Sequence, residues 1–367
     1  MRILFAGGGT AGHINPAIGI AEEVLFRDRK SSVAFVGRRG GAENASITKG
    51  GYKLYTMNVK GLERKLTLRN IKSLFLAVKA MGDAKGIIRD FTPDVIVGTG
   101  GYVSWPILRY GIKAGIPTVM HESNVYPGLV TRKLSSKCDL TLLCSEDSIK
   151  HLKDPKRTAV VGNPLRRGFY EGTRNDARRA LGIGSGDILI VSFGGSLGSE
   201  AINNEVIRLM EQYSLKDGRI RHIHSAGQRY YEKIRSSYPK LTSGDSGCII
   251  KEYIDDMPRI MSAADIVISR AGAMTLSEIA RAAVPAILIP SPNVADNHQL
   301  KNAEALARKD AAVLIEESDL NERLIGTVKE LAESAHLRKK LSKNVSALHK
   351  EHSAEKIYGH LLALTAK

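Results

Sequence analysis

Four glycine-rich turns each follow directly on a short apolar run: GGGTAGH after RILFA, GTGGYVS after DVIV, GGSLGS after DILIVSF and SRAGAMT after ADIVI. This repeated junction constrains the fold more than any other feature. A short, continuous, β-branched apolar run reads as a strand covered on both faces. A glycine turn leading from such a strand straight into a helical pattern opens a βαβ crossover, and crossovers make parallel sheets. Further runs, VAFVG (33–37), PTVMH (117–121), LTLLC (140–144), RIRHIHSAG (219–227) and VPAILIPSP (284–292), alternate with segments of helical length such as 16–29 and 67–90. The fold class is therefore α/β, built on doubly wound parallel sheets.

The pattern restarts at residue 187. A chain of 367 residues exceeds what one hydrophobic core usually holds, so two Rossmann-like domains are expected. Gly162 and Pro164 in VVGNPLRRGFY mark the junction. The expected division is 1–162, 163–340 and a C-terminal stretch 341–367 that packs back on the N-terminal domain, with 335–366 helical throughout. Ligands of such sheets sit beyond the carboxyl ends of the strands. The turns are thus expected to face a cleft between the domains.

Hydrophobic residues make up 43% of the chain and charged residues 25%, which excludes a disordered polymer. Cys138, Cys144 and Cys248 are odd in number and lack C-x-x-C spacing, so buried, reduced thiols are expected. The opening MRILFAGGG lacks the layout of a signal peptide, and no apolar stretch is long enough to span a membrane. A net charge of +16 favours polyanionic partners: nucleic acid, an anionic membrane surface or phosphorylated substrates. No arginine-rich arm, zinc-finger spacing or aromatic RNA-binding signature accompanies it, so no nucleic acid is expected.

A glycine turn at a helix start exposes backbone amides at the positive end of the helix dipole, which makes an anion site. Gly7-x-Gly9-x-x-Gly12 also has the spacing of a dinucleotide fingerprint. That reading requires an acid after the second strand, where VAFVGRRG has none; Arg38 and Arg39 leave an NADP enzyme as an alternative. His13 has no place in the fingerprint and is either a cleft-facing functional residue or a structural turn residue. Pro16 suits a first helical turn. In SRAGAMTLSEIA the helix is expected to start near Met274 or Thr275. Glu278 then lies about one turn in, as a ribose ligand or as an acid favoured by the dipole.

GGGTAGHINPA, GTGGYVSWP, HESNVYPG, GNPLR, FGGSLGS, EYIDDM, SRAGAMTLSEIA and NHQLKNA occur in this order between residues 7 and 303. The set resembles glycosyltransferase family 28, and within it the bacterial UDP-N-acetylglucosamine (UDP-GlcNAc) transferases of peptidoglycan synthesis. The resemblance implies a GT-B fold, two Rossmann-like domains facing each other across a cleft. It implies inverting transfer of GlcNAc from UDP-GlcNAc to the C4 hydroxyl of MurNAc in lipid I, giving lipid II and UDP. It places the enzyme peripherally at the cytoplasmic face of the cell membrane, with cell-wall synthesis proteins as further partners and no cofactor. By the same resemblance, the Ile254 backbone reads uracil and Glu278 holds the ribose. Ala273, Met274, Thr275, Ser196 and Arg166 attend the diphosphate and sugar. Gln299 and Asn124 contact the GlcNAc hydroxyls, and Thr10, Ala11 and Gly12 close on the donor. Gly100, Gly101 and Tyr102 belong to the acceptor side. His298, Leu197 and Trp105 depart from the residues usual in the family.

Inverting transfer needs a base for the acceptor proton and stabilisation of the departing UDP. His13 is the first candidate, as base or as a group that positions the acceptor; Glu122 and His121 are alternatives. No D-x-D occurs, so no metal site is expected. His222 and His224 share a strand face but lack a third ligand, and line the nucleotide cleft or simply pack. In residues 60–81 an apolar stripe that includes Phe75 runs beside a basic face with Arg69, Lys72 and Lys79. This is a helix packing inward with solvated charges, or a face for anionic lipid. The competing functional readings are a UDP-GlcNAc 2-epimerase and a non-catalytic UDP-sugar or lipid-binding module.

Overall fold

The computed structural model describes residues 1–9, 11–41, 44–59, 69–244, 247–294 and 297–366, with the backbone alone at 11 and 69–78. The chain divides into two compact units, Met1–Arg167 with Lys350–Lys367, and Gly168–His349.

The first unit carries a seven-stranded sheet in the order β3-β2-β1-β4-β5-β6-β7. Its strands are β1 Arg2–Gly7, β2 Ser32–Arg38, β3 Lys53–Met57, β4 Val95–Gly100, β5 Thr118–Glu122, β6 Leu140–Leu143 and β7 Thr158–Val160. The second unit carries six: β8 Ile188–Phe193, β9 Ile220–Ser225, β10 Cys248–Lys251, β11 Ile266–Ser269, β12 Ala286–Leu288 and β13 Val313–Leu314. Their order is β10-β9-β8-β11-β12-β13. Every pairing among the described residues is parallel. Both sheets repeat the Rossmann order, with the direction of winding reversing between β1 and β4 and between β8 and β11. The four glycine turns follow these four strands, so each switch point is flanked by two of them.

The central strands are apolar because helices cover both faces. Ile3, Phe5, Phe35, Val95, Val97 and Val119 pack on one face of the first sheet, and Leu4, Ala6, Val36, Ile96 and Met120 on the other. Phe5 and Phe35 stack at 5.1 Å. In the second unit Ile190, Ile250, Ile266, Ile268 and Ile287 pack against Val206, Leu324 and Val328.

Three expectations change. The division falls at 167/168 and 349/350, not 162/163 and 340/341. Residues 162–167 stay with the first unit because their polar groups bond there. Arg167 N donates to Glu22 (2.6 Å), its guanidinium pairs with Glu23 (3.3 Å) and lies 3.5 Å over the Phe26 ring, and the Gly162 carbonyl accepts from His121 (3.1 Å). The stretch 335–366 is two helices, Ala335–Ser346 and Ser353–Thr365, separated by a turn that ends at His352 with φ +59°. Leu341 of the first helix packs in the second unit, whereas Ile357 and Leu361 of the last helix enter the core of the first. Gly162, with φ +86°, allows this return, since a Cβ there would lie 2.6 Å from Lys350 Cβ. Finally, the helix after β1 begins at Ala11, so Pro16 is an interior residue rather than a first-turn one.

Candidate functional site

In the first unit the two turns at the switch point interlock around His13. The His13 ring is held by Nδ1 against the Gly8 carbonyl (3.1 Å), and its backbone carbonyl accepts from Thr99 Oγ1 (2.6 Å). Gly100 and Gly101 have φ +110° and +76°; Cβ atoms there would lie 2.6 Å from His13 Cδ2 and 2.0 Å from the Gly8 oxygen. The glycines of the second turn are thus the seat of the histidine of the first. A carbonyl only accepts, so Nδ1 carries the proton in that bond; in a neutral ring Nε2 is then the nitrogen without a proton. Gly12 is exposed, and Tyr102 and Trp105 stand out into solvent beside the second turn. Thr10 and the side chain of Ala11 lie outside the described residues.

Glu122 has a different use from the one considered for it. Its Oε1 accepts from Asn124 N (2.9 Å) and Nδ2 (3.0 Å), and its Oε2 from Gly128 N (2.8 Å) and Thr131 Oγ1 (2.7 Å). These four donors occupy its two oxygens, so in this structure Glu122 organises the HESNVYPG loop. Because Glu122 takes the Asn124 Nδ2, the amide oxygen is the end turned away. His121 is wholly buried, bonded to Gly162, with its pKa lowered by burial. It does not face solvent. Arg166 is half-buried, and its buried Nε has no hydrogen-bond partner among the described residues.

In the second unit, GGSLGS leads into the helix Glu200–Leu209, whose N-cap Ser199 accepts from Ile202 N (3.4 Å). Ser196 is half-exposed and Leu197 is exposed. SRAGAMT leads into the helix Ala273–Ala282, with Gly272 at the N-cap and Ala273, Met274 and Thr275 in the first turn. Glu278 is the sixth residue of that helix, and no acid lies in the first turn, so the dipole reading of Glu278 does not hold. It is only 6% exposed. Ile254 is buried in the loop after β10. Gln299, in the helix His298–Ala307, accepts at Oε1 from Ser291 N (2.9 Å), which leaves Nε2 as its donor end.

Sequence reasoning missed the role of Arg270. Its position beside a phosphate-type turn suggests an anion ligand. Instead its guanidinium donates to Ser199 Oγ (2.6 Å), to the carbonyls of Ile289 (3.3 Å) and Pro290 (3.2 Å), and to the Glu317 carboxylate. It ties together the segments that follow β8, β11, β12 and β13. His222 and His224 are not metal ligands, because all four ring nitrogens face Ser192, Ser214 or Asn203. Burial pushes the Cys138 and Cys144 thiols up to about 12 and that of Cys248 to about 11, so none is a ready nucleophile. Lys79 is exposed on the helix Arg69–Phe91, but the side chains of Arg69, Lys72 and Phe75 lie outside the described residues. Among the described residues no helix is long and apolar enough to cross a membrane.

Two Rossmann-ordered units, each with paired glycine turns at its switch point, define a protein of the GT-B class. Comparison with known proteins narrows this. The glycosyltransferase family 28 N-terminal domain matches residues 3–142, and the family's C-terminal domain matches 189–357. A transferase of Thermoanaerobacter sp. (strain X514), named UDP-N-acetylglucosamine–N-acetylmuramyl-(pentapeptide) pyrophosphoryl-undecaprenol N-acetylglucosamine transferase, is 39% identical over 100% of both chains. A protein of the same name from Carboxydothermus hydrogenoformans is 37% identical over 99% of this chain and 98% of that one. Among solved structures, Acinetobacter baumannii MurG has a TM-score of 0.69 at 22% identity, covering 99% of each chain. A Neisseria meningitidis UDP-GlcNAc 2-epimerase bound to UDP-GlcNAc has 0.66 at 14% identity, covering 99% of this chain and 100% of that one. The structural likenesses establish the shared fold. The chain belongs to glycosyltransferase family 28.

Proposed function

We propose that this protein transfers GlcNAc from UDP-GlcNAc to the C4 hydroxyl of MurNAc in lipid I, with inversion, releasing UDP. The observation that carries the reading is end-to-end identity of 39% with a relative named for that transfer. The epimerases share the fold at 14% identity, which favours no activity.

The second unit binds the donor. Ile254 offers backbone to uracil, and Glu278, buried and beyond the first helical turn, accepts from the ribose diol. Amides of 273–275 and Ser196 in the turn 194–199 hold the diphosphate at two helix starts. In the second unit Gln299 Nε2 is the end left for a sugar hydroxyl; from the first unit Asn124 Oδ1 is offered to the sugar and the Arg166 guanidinium to a phosphate.

The first unit serves the acceptor through the turn 98–104, with Gly100, Gly101 and Tyr102. His13 Nε2 takes the C4 hydroxyl proton as that oxygen attacks the anomeric carbon. The bond from that carbon to the phosphate oxygen breaks on the opposite side, and the electron pair leaves with UDP. No cofactor enters this scheme. Incubation with UDP-GlcNAc, with and without a lipid I analogue, tests it. UDP release only with acceptor is expected; conversion to UDP-ManNAc without acceptor would instead make the protein an epimerase.

The lipid-linked acceptor and the basic residues of 60–81 support a peripheral site of action at the cytoplasmic membrane face. Binding to anionic vesicles should fall with salt and with charge reversal at Arg69 and Lys72, at roughly 1 kcal/mol per charge. Salt-independent binding would refute the electrostatic docking.

A further inference from the structure

Below the glycine turns of the second unit runs a chain of polar side chains that the transfer scheme does not use. Ser192 on β8, His222 and His224 on β9, Asn203 in the helix Glu200–Leu209 and Ser214 in the π-turn that follows it are each at most 2% exposed. Such groups are costly in an apolar core unless every donor meets an acceptor.

One order of protons is consistent with every hydrogen bond among them. The Ala226 carbonyl only accepts, so Asn203 turns Nδ2 toward it (3.0 Å). Asn203 Oδ1 then faces His224 Nε2 (3.0 Å), which must carry a proton. With His224 neutral, its Nδ1 accepts from Ser192 Oγ (2.8 Å). Ser192 Oγ in turn accepts from His222 Nε2 (2.8 Å), and His222 Nδ1 accepts from Ser214 Oγ (3.2 Å). His224 Nδ1 also lies 3.1 Å from the Ser192 carbonyl, but two acceptors share no proton. Burial keeps both rings neutral, as this order requires. Every donor points toward Ala226.

The end of the chain lies against the turn 194–199. A Cβ on Gly198 would lie 2.0 Å from the Ala226 oxygen, and one on Gly227 would lie 2.2 Å from Gly198 N. The 226–227 turn is wedged against GGSLGS backbone to backbone, and Asn203 holds the carbonyl on which Gly198 rests. We propose that Ser192, His224 and Asn203 are positioning residues that fix the Ala226 carbonyl and, through it, hold the 194–199 turn in shape for the donor diphosphate. This rests on the UDP-sugar reading of the second unit.

The test compares the full chain with Asn203→Asp and Ser192→Ala. The first keeps the shape but sets an acceptor against the Ala226 oxygen; the second breaks the chain away from the turn. Leu324→Ala, a core cavity in the same unit with no bond to the chain, controls for general destabilisation. Amide hydrogen exchange at 194–199 and 226–227 is measured beside UDP affinity by calorimetry and KM for donor and acceptor. Both chain variants should exchange faster at these turns, bind UDP about tenfold more weakly, as for loss of one net hydrogen bond, and raise donor KM alone. Leu324→Ala should show neither local effect. Unchanged exchange at the turns in both variants overturns the proposal whatever UDP does. Faster exchange with unchanged UDP affinity overturns the link to the donor. Faster exchange in a protein whose wild type does not bind UDP overturns the UDP reading instead.

Discussion

His13 becomes a candidate base only through what surrounds it. The motif places it after a glycine turn, but the Gly8 carbonyl selects its tautomer and the Gly100–Gly101 backbone seats its ring. His13→Asn should lower kcat by about two to four orders of magnitude, the usual worth of a general base, while UDP affinity stays the same. Near-normal turnover in that variant would remove it from the role. Glu122 teaches the converse. Its neighbours in sequence, HESN, make it look available, whereas Gly128 and Thr131 help to saturate it. Spacing lists the acids and histidines; it does not say whose lone pairs are already in use. The buried histidines also set a pH response. Burial holds His224 down to about 4 and His222 well below 6.5, so on acidification the unfolded chain takes up protons that the folded chain refuses. Stability is full above about pH 6.5 and falls as the pH drops toward 4, with His224 contributing on the order of 3 kcal/mol. Urea midpoints at pH 7.5, 6 and 5 should decline in that order; a flat profile would mean that these rings are protonated in the folded state.

At the level of elements, the central strands were legible and the edge strands were not. Runs such as RILFA and DILIVSF appear as β1 and β8 because helices cover both their faces. The strands that apolar runs fail to announce, β3, β7, β10 and β13, are the four sheet edges. Edge strands are short and partly exposed, so Lys53–Met57 and Cys248–Lys251 mix polar and apolar residues without a strong period. The glycine turns were legible because their chemistry is local, but their pairing was not. Gly8 meets Gly101, and Gly198 meets Gly227, across long separations in the chain. Gly101→Ala tests the first pair. A Cβ 2.0 Å from the Gly8 oxygen, on a residue with φ +76°, should cost about 2 kcal/mol or more and unseat His13. Thermal melting and turnover should both fall; an unaffected variant would show that the two turns are not interlocked.

At the level of the whole molecule, the two units repeat one winding order, and the chain returns to the first after completing the second. The last helix adds Ile357 and Leu361 to the core around Ile3, Phe5 and Ile14, and Arg27 pairs with Glu355 at 3.1 Å. Truncation before residue 350 should therefore destabilise the first unit, by roughly 2 kcal/mol for each large apolar side chain lost. Calorimetry should show its transition lowered or absent while that of the second unit persists. Two transitions at unchanged temperatures would show that the helix is dispensable. The sequence by itself determined the α/β class, the restart of the pattern, the four strand-turn junctions and the ordered motifs of the family. Each of these depends on residues close together in the chain: period, glycine dihedrals, helix starts. Only the tertiary structure decided where the chain crosses between units, which acid is saturated, why Arg270 is a clasp and how the buried histidines are ordered. Those outcomes depend on polar groups finding partners tens to hundreds of residues away, and no local pattern records which partner is found.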